Sequence, residues 1–385
     1  MEASPARIER VSTLELFFDL VFVFTVTELT DLLVDEPTGK GLVQVALLLA
    51  VIWWMYGGYA WLTNAVRTDR LGRRAVLLGG MAAFFVLALA VPDAFDEPGP
   101  AVGLAYLAVV LVHSTLFGRA GSVGLAAVAR LTAFNVAAAL SVLAGLWIGG
   151  AAAYVLLGVA ILLEWGTPRL KPVEAFEVGA AHFVERHGLV IIVAIGESII
   201  AIGLAVRESG VDVGLTFAAL LGLALSAGLW FAYFDAPDHE HASEAALAGA
   251  PDDRRGRMAL DAFGTWHFGL LLGIIVLAAG LKKAVAEPFD PATTAAALFM
   301  AGGLALYLAS EAGFRQALGT GGPTPLRLLG LLLILATIPL GTEVAGMAQL
   351  GALVVLLAAL LAAERSGASE LGRDLRPQER DEVLI

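Results

Sequence analysis

The stretch RVSTLELFFDLVFVFTVTELTD, residues 10–31, constrains the chain more than any other. It is apolar and long enough to cross a bilayer, yet it carries Glu15, Asp19, Glu28 and Asp31. A carboxylate well inside a membrane helix costs roughly 2.5–3.5 kcal/mol on insertion scales, so it calls for a partner or a water-filled cavity. Glu15 and Asp19 stand four residues apart, which places them on one helical face, one turn above the other. Both are expected to face the protein interior, with much of the chain arranged around them. Glu28 lies near the far interface and is expected to point elsewhere.

Composition sets the class. Of 385 residues, 58% are apolar and 16% charged. Soluble domains run at about 45–50% and 25%, so an all-α, polytopic membrane bundle is expected. The net charge of -12 arises from acids in loops and tail, and no basic stripe exists for nucleic acid. With no cysteine in the chain, thiolate chemistry is excluded. The first apolar run is acidic within and has no small-residue cleavage site, so it reads as a retained span rather than a signal peptide.

A span needs about 20 mostly apolar residues. Twelve segments qualify, at 14–34, 42–63, 75–92, 101–118, 129–148, 150–165, 188–206, 213–234, 259–281, 292–313, 326–341 and 346–363. Cytoplasmic segments should be enriched in Lys and Arg. With the N-terminus inside, 20 of the 24 basic residues fall on the inside, and only Lys40, Arg207, Lys282 and Lys283 fall outside. Twelve spans with both termini cytoplasmic satisfy this pattern.

The two halves echo each other. Glu9-Arg10 precedes span one and Glu185-Arg186 precedes span seven. Asp69-Arg70 to Arg73 follows span two, and Asp253-Arg254 to Arg257 follows span eight, each after an aromatic cluster (Trp53, Trp54, Tyr56; Trp230, Phe231, Tyr233). An even number of spans per half implies a parallel six-plus-six repeat. The expected units are residues 1–168, residues 169–363 and a flexible cytoplasmic tail, 364–385.

The other strong signal is HFVERHGLVIIVAIGESIIAIG at mid-chain. Glu197 lies about 14 Å beyond His187 along a helix rising 1.5 Å per residue, near the middle of the membrane. Gly196 and Gly203 flank it and Ser198 follows, and small residues let a neighbouring helix or a substrate approach closely. Arg130 and Arg186 are the nearest candidate counter-charges for the carboxylates. His267 and His113 could join a proton relay, although a lone intramembrane histidine is more often a packing residue. Asn135 is a polar interior group. Glu164 and Glu311, at the ends of spans six and ten, are expected at the interface, and Asp235 closes span eight. His182, Glu185 and His187 do not place both histidines on one helical face, and His239 with His241 sits in an acidic loop. Neither set resembles a zinc pattern, so no metal and no cofactor is expected.

The pairing of VSTLELFFDLVFVFTVTELT with HFVERHGLVIIVAIGESIIAIG resembles the bacterial low temperature requirement protein A family, over about residues 10–363. The family motifs fall on Glu15, Phe17, Phe18, Asp19, Glu185, Arg186, His187, Gly188, Gly196, Glu197 and Ser198. The resemblance implies a polytopic inner-membrane protein associated with growth at low temperature, a stress response, and names no reaction.

Three readings follow. The first is a proton-coupled secondary transporter of an unidentified solute, in which Asp19 and Glu197 exchange protons, Glu15 and Arg186 tune them, and Ser198 and His187 complete the site. Glu28, Glu185, Arg130, His267 and Asn135 support it. The second is an intramembrane enzyme acting on a lipid-like substrate, with the carboxylates as acid and base. It lacks a nucleophile or metal constellation, so an enzyme is the weaker expectation. The third is a non-catalytic membrane factor or channel with a structural polar interior. The expected partners are the lipid bilayer and a small solute or lipid, with no nucleic acid. The transport reading requires acids from two helices to meet in one polar pocket.

Overall fold

A computed structural model describes residues 11–65, 71–95, 99–120, 125–170, 179–209, 212–234 and 239–375. The described residues form a helical bundle without strands. Asp69, Arg70 and Asp235 lie outside them.

The first half contains α1 (Thr13–Asp35), α2 (Gly39–Ala65), α3 (Leu71–Ala90), α4 (Ala101–Ala120), α5 (Leu125–Ile148) and α6 (Ala151–Leu170). The second begins with α7 (Ala180–Ser209) and α8 (Val213–Phe234), followed by the short α9 (His239–Gly249). The ninth span is continuous from α10 (Asp252–Ala259) through a π-helical segment, Leu260–Trp266, into α11 (His267–Ala286). Then come α12 (Thr294–Leu318), α13 (Pro325–Leu335), α14 (Ile338–Glu343) and α15 (Gly346–Leu375).

Eleven helical stretches are long and apolar enough to cross a membrane, and they match segments two to twelve of the sequence reading. The first segment, α1, has the length but carries too many acids to pass on composition. Its acids are accommodated because α2, α3, α7 and α11 all pack against it.

Several boundaries depart from expectation. Helix α7 starts at Ala180, so Arg186 and His187 lie well inside it. The eleventh segment is broken between α13 and α14, at Ala336 and Thr337. Pro339 explains the break, since it lacks the N–H that would bond to the carbonyl four residues earlier. Helix α15 continues beyond the apolar run, through Glu364 to Leu375. Gly149 and Gly150 adopt φ of 74° and 55°, the left-handed backbone that lets α5 turn directly into α6.

In the first half α1 packs on α2 and α3, α3 on α4, α4 on α5, α5 on α6, and α2 on both α4 and α6. In the second, α7 packs on α8 and α11, α11 on α12, α12 on α13 and α14, these on α15, and α8 on both α12 and α15. Lipid tails offer no hydrophobic drive between helices, so close packing must supply the attraction. Helices α11 and α12 achieve it with glycine: a Cβ on Gly303 would come within 2.4 Å of Leu277 N, and one on Gly273 within 2.8 Å of Tyr307 N.

Cross-links sort the helix ends into two faces. One face joins Asn64 to Gly179, Arg169 to Thr265, and Arg315 to Ala232. The opposite face joins Asp31 to Lys282 and Gly346 to Asp290. Helices α1 and α7 run parallel from the first face, because Glu15 meets Arg186 while Thr27 meets Glu197.

Candidate functional site

The site starts at the first turn of α1. Ser12 and Glu15 form a capping box: the Ser12 side chain accepts from Glu15 N–H, and Glu15 Oε2 accepts from Ser12 N at 2.9 Å and from Ser12 Oγ at 2.8 Å. This fixes the Glu15 carboxylate at the helix mouth and leaves Oε1 pointing inward. One turn on, Asp19 is fully buried.

Helix α7 brings up the cation. Arg186, 1% exposed, extends Nη1 to Glu15 Oε1 and Nη2 to Asp19 Oδ1, each at 3.4 Å. Nη1 also donates to Thr63 Oγ1 on α2. The guanidinium carbon stands 5.5 Å from the ring centroids of both Phe18 and Tyr56, so two aromatic faces help to solvate the charge. Tyr56 donates to Asp19 Oδ1 at 2.7 Å. His182, one turn before Arg186, places Nε2 3.2 Å from Glu15 Oε2. Its other ring nitrogen is 3.3 Å from Asn64 Nδ2. Asn64 in turn ties the end of α2 to the backbone of Gly179 at both its N–H and its C=O.

The formal charges in this cluster do not balance. Glu15 and Asp19 carry two negative charges and Arg186 one positive, with His182 as the remaining ionisable neighbour. Asp19 Oδ2 and Arg186 Nε are both buried without a hydrogen-bond partner.

Glu197 is elsewhere. Its Oε2 accepts from Thr27 Oγ1 at 2.7 Å, and among the described residues it makes no ion pair. Thr27 is eight residues beyond Asp19, about 12 Å along α1. Between the two levels lie Phe22, Val23 and Val26 on α1 and Val190, Ile191 and Ala194 on α7, all buried. The structure therefore does not bring Asp19 and Glu197 into one polar pocket. They occupy two levels of the same helix pair, with hydrocarbon between them. Ser198 is buried beside Glu197, its Oγ unpartnered.

His187 is near Arg186 in sequence but turns into an aromatic nest. Its Nδ1 faces Phe183 O at 2.8 Å, and its ring lies 4.9 Å from Phe263 and 5.4 Å from His267, centroid to centroid. His267 contacts Tyr233 Oη through Nε2 at 2.8 Å and Ala262 O through Nδ1 at 3.0 Å. The π-helical segment carries this nest, and Trp53 Nε1 donates to Gly264 O at 2.8 Å. Trp53 stacks on Tyr56 at 5.0 Å, which joins the nest to the Asp19 partner.

The remaining predicted residues are dispersed. Glu185 Oε2 accepts from Val11 N at 3.2 Å and holds the chain just before α1. Asn135, buried on α5, accepts from Trp54 Nε1 at 3.2 Å. Arg130 is also on α5, which packs on α4 and α6, and its buried Nε has no hydrogen-bond partner. Glu28 is half-buried. His113 packs between Tyr59 and Phe117.

Glu164 and Glu311 are not at an aqueous interface, since both are buried inside the bundle. Glu164 Oε1 accepts from Tyr106 at 2.5 Å. Glu311 pairs with Arg315 and Arg327, and Arg327 also donates to both oxygens of Glu364 at 2.8 and 2.9 Å. Here two acids and two arginines close the balance. Helices α12, α13 and α15 cover a position that lies near the end of an apolar run but not at the protein surface. Three partners escaped the sequence reading: Tyr56, Thr63 and His182. Ser12 escaped it too, although S-T-L-E is a legible capping box.

The sequence model of the bacterial low temperature requirement A protein matches residues 10–362. A relative from Rhizobium meliloti (strain 1021), "Uncharacterized protein RA0937", is 28% identical over 309 residues, covering 77% of this chain and 74% of the relative.

Proposed function

The chain belongs to the bacterial low temperature requirement A family, and from that premise we propose that it is a proton-coupled secondary transporter of a small solute, working in the inner membrane. The observation that carries this reading is the unbalanced charge at Glu15, Asp19, Arg186 and His182. An uncompensated charge costs several kcal/mol away from water, so in this reading the cluster takes up one proton, at the unpartnered Oδ2 of Asp19. Glu197 is a second proton site on the same helix pair, with only the neutral Thr27 hydroxyl as partner. The apolar layer between them acts as the barrier that alternates: protons reach Glu197 from the α1 end at Asp31 and leave past Asp19 and His182. Ser198 offers its hydroxyl to solute beside Glu197, and His187 couples the cluster to the π-helical segment.

Arginine-rich loops support a cytoplasmic assignment for the face bearing Arg186, and hence for both termini. The matching neighbour order of the two halves supports an origin by duplication into units 1–168 and 169–363. The Tyr106 hydroxyl of α4 lies 2.9 Å from Val51 O of α2, and Tyr307 of α12 donates to Leu229 O of α8 at 3.0 Å. These are corresponding helices in the two halves. A link to growth in the cold would then follow from the solute carried.

Proteoliposomes loaded with a pH-sensitive dye test the reading. Fractionated small-molecule extract from bacterial cells should elicit proton movement with one fraction, and both Asp19→Asn and Glu197→Gln should abolish it. Flux that persists unchanged in both variants, or no response to any fraction, would sink the proposal.

A further inference from the structure

Where the ninth span begins, three arginines occupy four positions, and the structure gives them two different tasks. Arg255 turns back on α9: its Nε donates to Leu247 O at 3.1 Å, and its Nη2 to Ala248 O at 3.2 Å and Ala250 O at 3.0 Å. It thereby satisfies carbonyls that the end of α9 leaves open. Arg254 and Arg257, three apart and so on one helical face, line a cleft of about 390 Å³ with Met258 and Asp261. Asp261 does not neutralise them, because its Oδ1 lies 3.5 Å from Arg169 Nη2. Arg169 is fixed there by further bonds to Thr265 Oγ1 at 2.6 Å and Trp165 O at 2.8 Å. Among the described residues neither Arg254 nor Arg257 forms an ion pair.

Two exposed arginines therefore border a cleft in which, among the described residues, the acid is already paired and the apolar side chain is a half-buried methionine. Guanidinium forks match phosphate oxygens two at a time. The cleft lies at the polar end of the apolar run from Arg254 to Ala286, the end of a span that stands beside the lipid phosphates when such a run crosses a bilayer. Basic side chains at that level attract anionic lipid. We propose that this cleft binds the phosphate of an anionic phospholipid, with Met258 against the glycerol and first methylenes. The proposal rests on the cleft alone and stands whether or not the chain moves protons. Asp261, at its edge, belongs to the π-helical segment that carries Phe263 and Gly264, so an occupied cleft braces a segment that packs against His187.

The test is lipid binding to the full-length protein, purified in detergent and delipidated, measured by native mass spectrometry with phosphatidylglycerol and phosphatidylcholine. Wild type should bind phosphatidylglycerol at least tenfold more tightly. Arg254→Gln/Arg257→Gln should lose about tenfold or more of that affinity, while Arg254→Lys/Arg257→Lys retains part of it. Arg207→Gln, on the opposite face, should change nothing. Should the double glutamine variant fail to fold, each single variant is read in its place, with a loss of about fivefold expected. Equal binding of the two lipids, or full retention of phosphatidylglycerol by the glutamine variants, would overturn the proposal. Displacement of the lipid by soluble glycerol phosphate at equal concentration would overturn it in favour of a free organophosphate.

Discussion

Replacing Arg186 with methionine is the most incisive perturbation this bundle offers. Methionine keeps the length and the apolar stem but removes a guanidinium that is 1% exposed and holds Glu15, Asp19 and Thr63 together. Removing one partner of a buried ion pair costs about 3–5 kcal/mol, chiefly because the opposite charge is left behind. Two carboxylates are stranded here, but unequally. Glu15 keeps Ser12 and His182, while Asp19 keeps only Tyr56. Asp19 therefore carries most of the penalty, and Arg186→Met is expected to destabilise the protein by about 3–5 kcal/mol. The double variant Arg186→Met/Asp19→Asn removes the stranded charge and should recover at least about 2 kcal/mol of that loss, a coupling large enough for a double-mutant cycle to resolve. Unfolding in mixed micelles at rising SDS, followed by tryptophan fluorescence, provides the measurement, with Arg207→Met as the exposed control. The reasoning is refuted if Arg186→Met falls within about 1 kcal/mol of that control, or if Asp19→Asn deepens the defect instead of relieving it.

Other substitutions test other parts of the structure by the same assay. Gly303→Ala should cost about 1–3 kcal/mol, since its methyl would meet the Leu277 backbone, which cannot move aside as a side chain would; an unchanged midpoint would mean that α11 and α12 pack less closely. Thr27→Val should cost about 1–3 kcal/mol by removing the hydrogen bond to Glu197. Adding Glu197→Gln should then change little, and fully additive losses would contradict the pairing. Tyr106→Phe should cost more than Tyr307→Phe, because it removes the hydroxyl placed between the buried Glu164 carboxyl and a backbone carbonyl, whereas Tyr307 serves a carbonyl alone. Equal losses would show that Glu164 is satisfied in another way.

How much of this could be read in advance depended on whether the signal was local. Glu15 and Asp19 announced an inward face because two acids four apart in an apolar run have few alternatives in a bilayer. Arg186 followed from charge conservation, since few cations lie within reach of the spans. Tyr56 could not be picked out, because nothing along the chain says which member of an aromatic cluster meets a carboxylate across the bundle. His182 gives no such signal either, because a single contact with Glu15 leaves no spacing pattern along the chain. The separation of Asp19 from Glu197 was invisible for the same reason: depth along each helix was legible, but the pairing of levels between α1 and α7 was not. Pro339 lay in plain view within a short eleventh segment, and helix-breaking chemistry alone accounts for the interruption there. Glu164 and Glu311 are buried although they stand near the ends of apolar runs, because closeness to the end of a run does not imply exposure where neighbouring helices cover that level.

The contrast between the two buried charge clusters bears directly on function. In the second half, Glu311 and Glu364 face Arg315 and Arg327, so two negative charges meet two positive ones and no proton is needed to complete the set. Such a cluster ties α12, α13 and α15 together and gains nothing from changing its protonation. In the first half, Glu15 and Asp19 face Arg186, and among the described residues the cluster's other basic neighbour is His182, 3.2 Å from Glu15. If both halves descend from one ancestor, one network has closed into a fixed joint and the other has stayed one charge short. In the proposed cycle, separating α1 from α7 would remove the arginine from both acids at once, and burial of the two stranded carboxylates would favour uptake of a proton. If the protein carries protons as proposed, movement of the α1–α7 pair is tied to proton exchange at Asp19, and Asp19→Asn should abolish that coupling while leaving the Thr27–Glu197 contact in place.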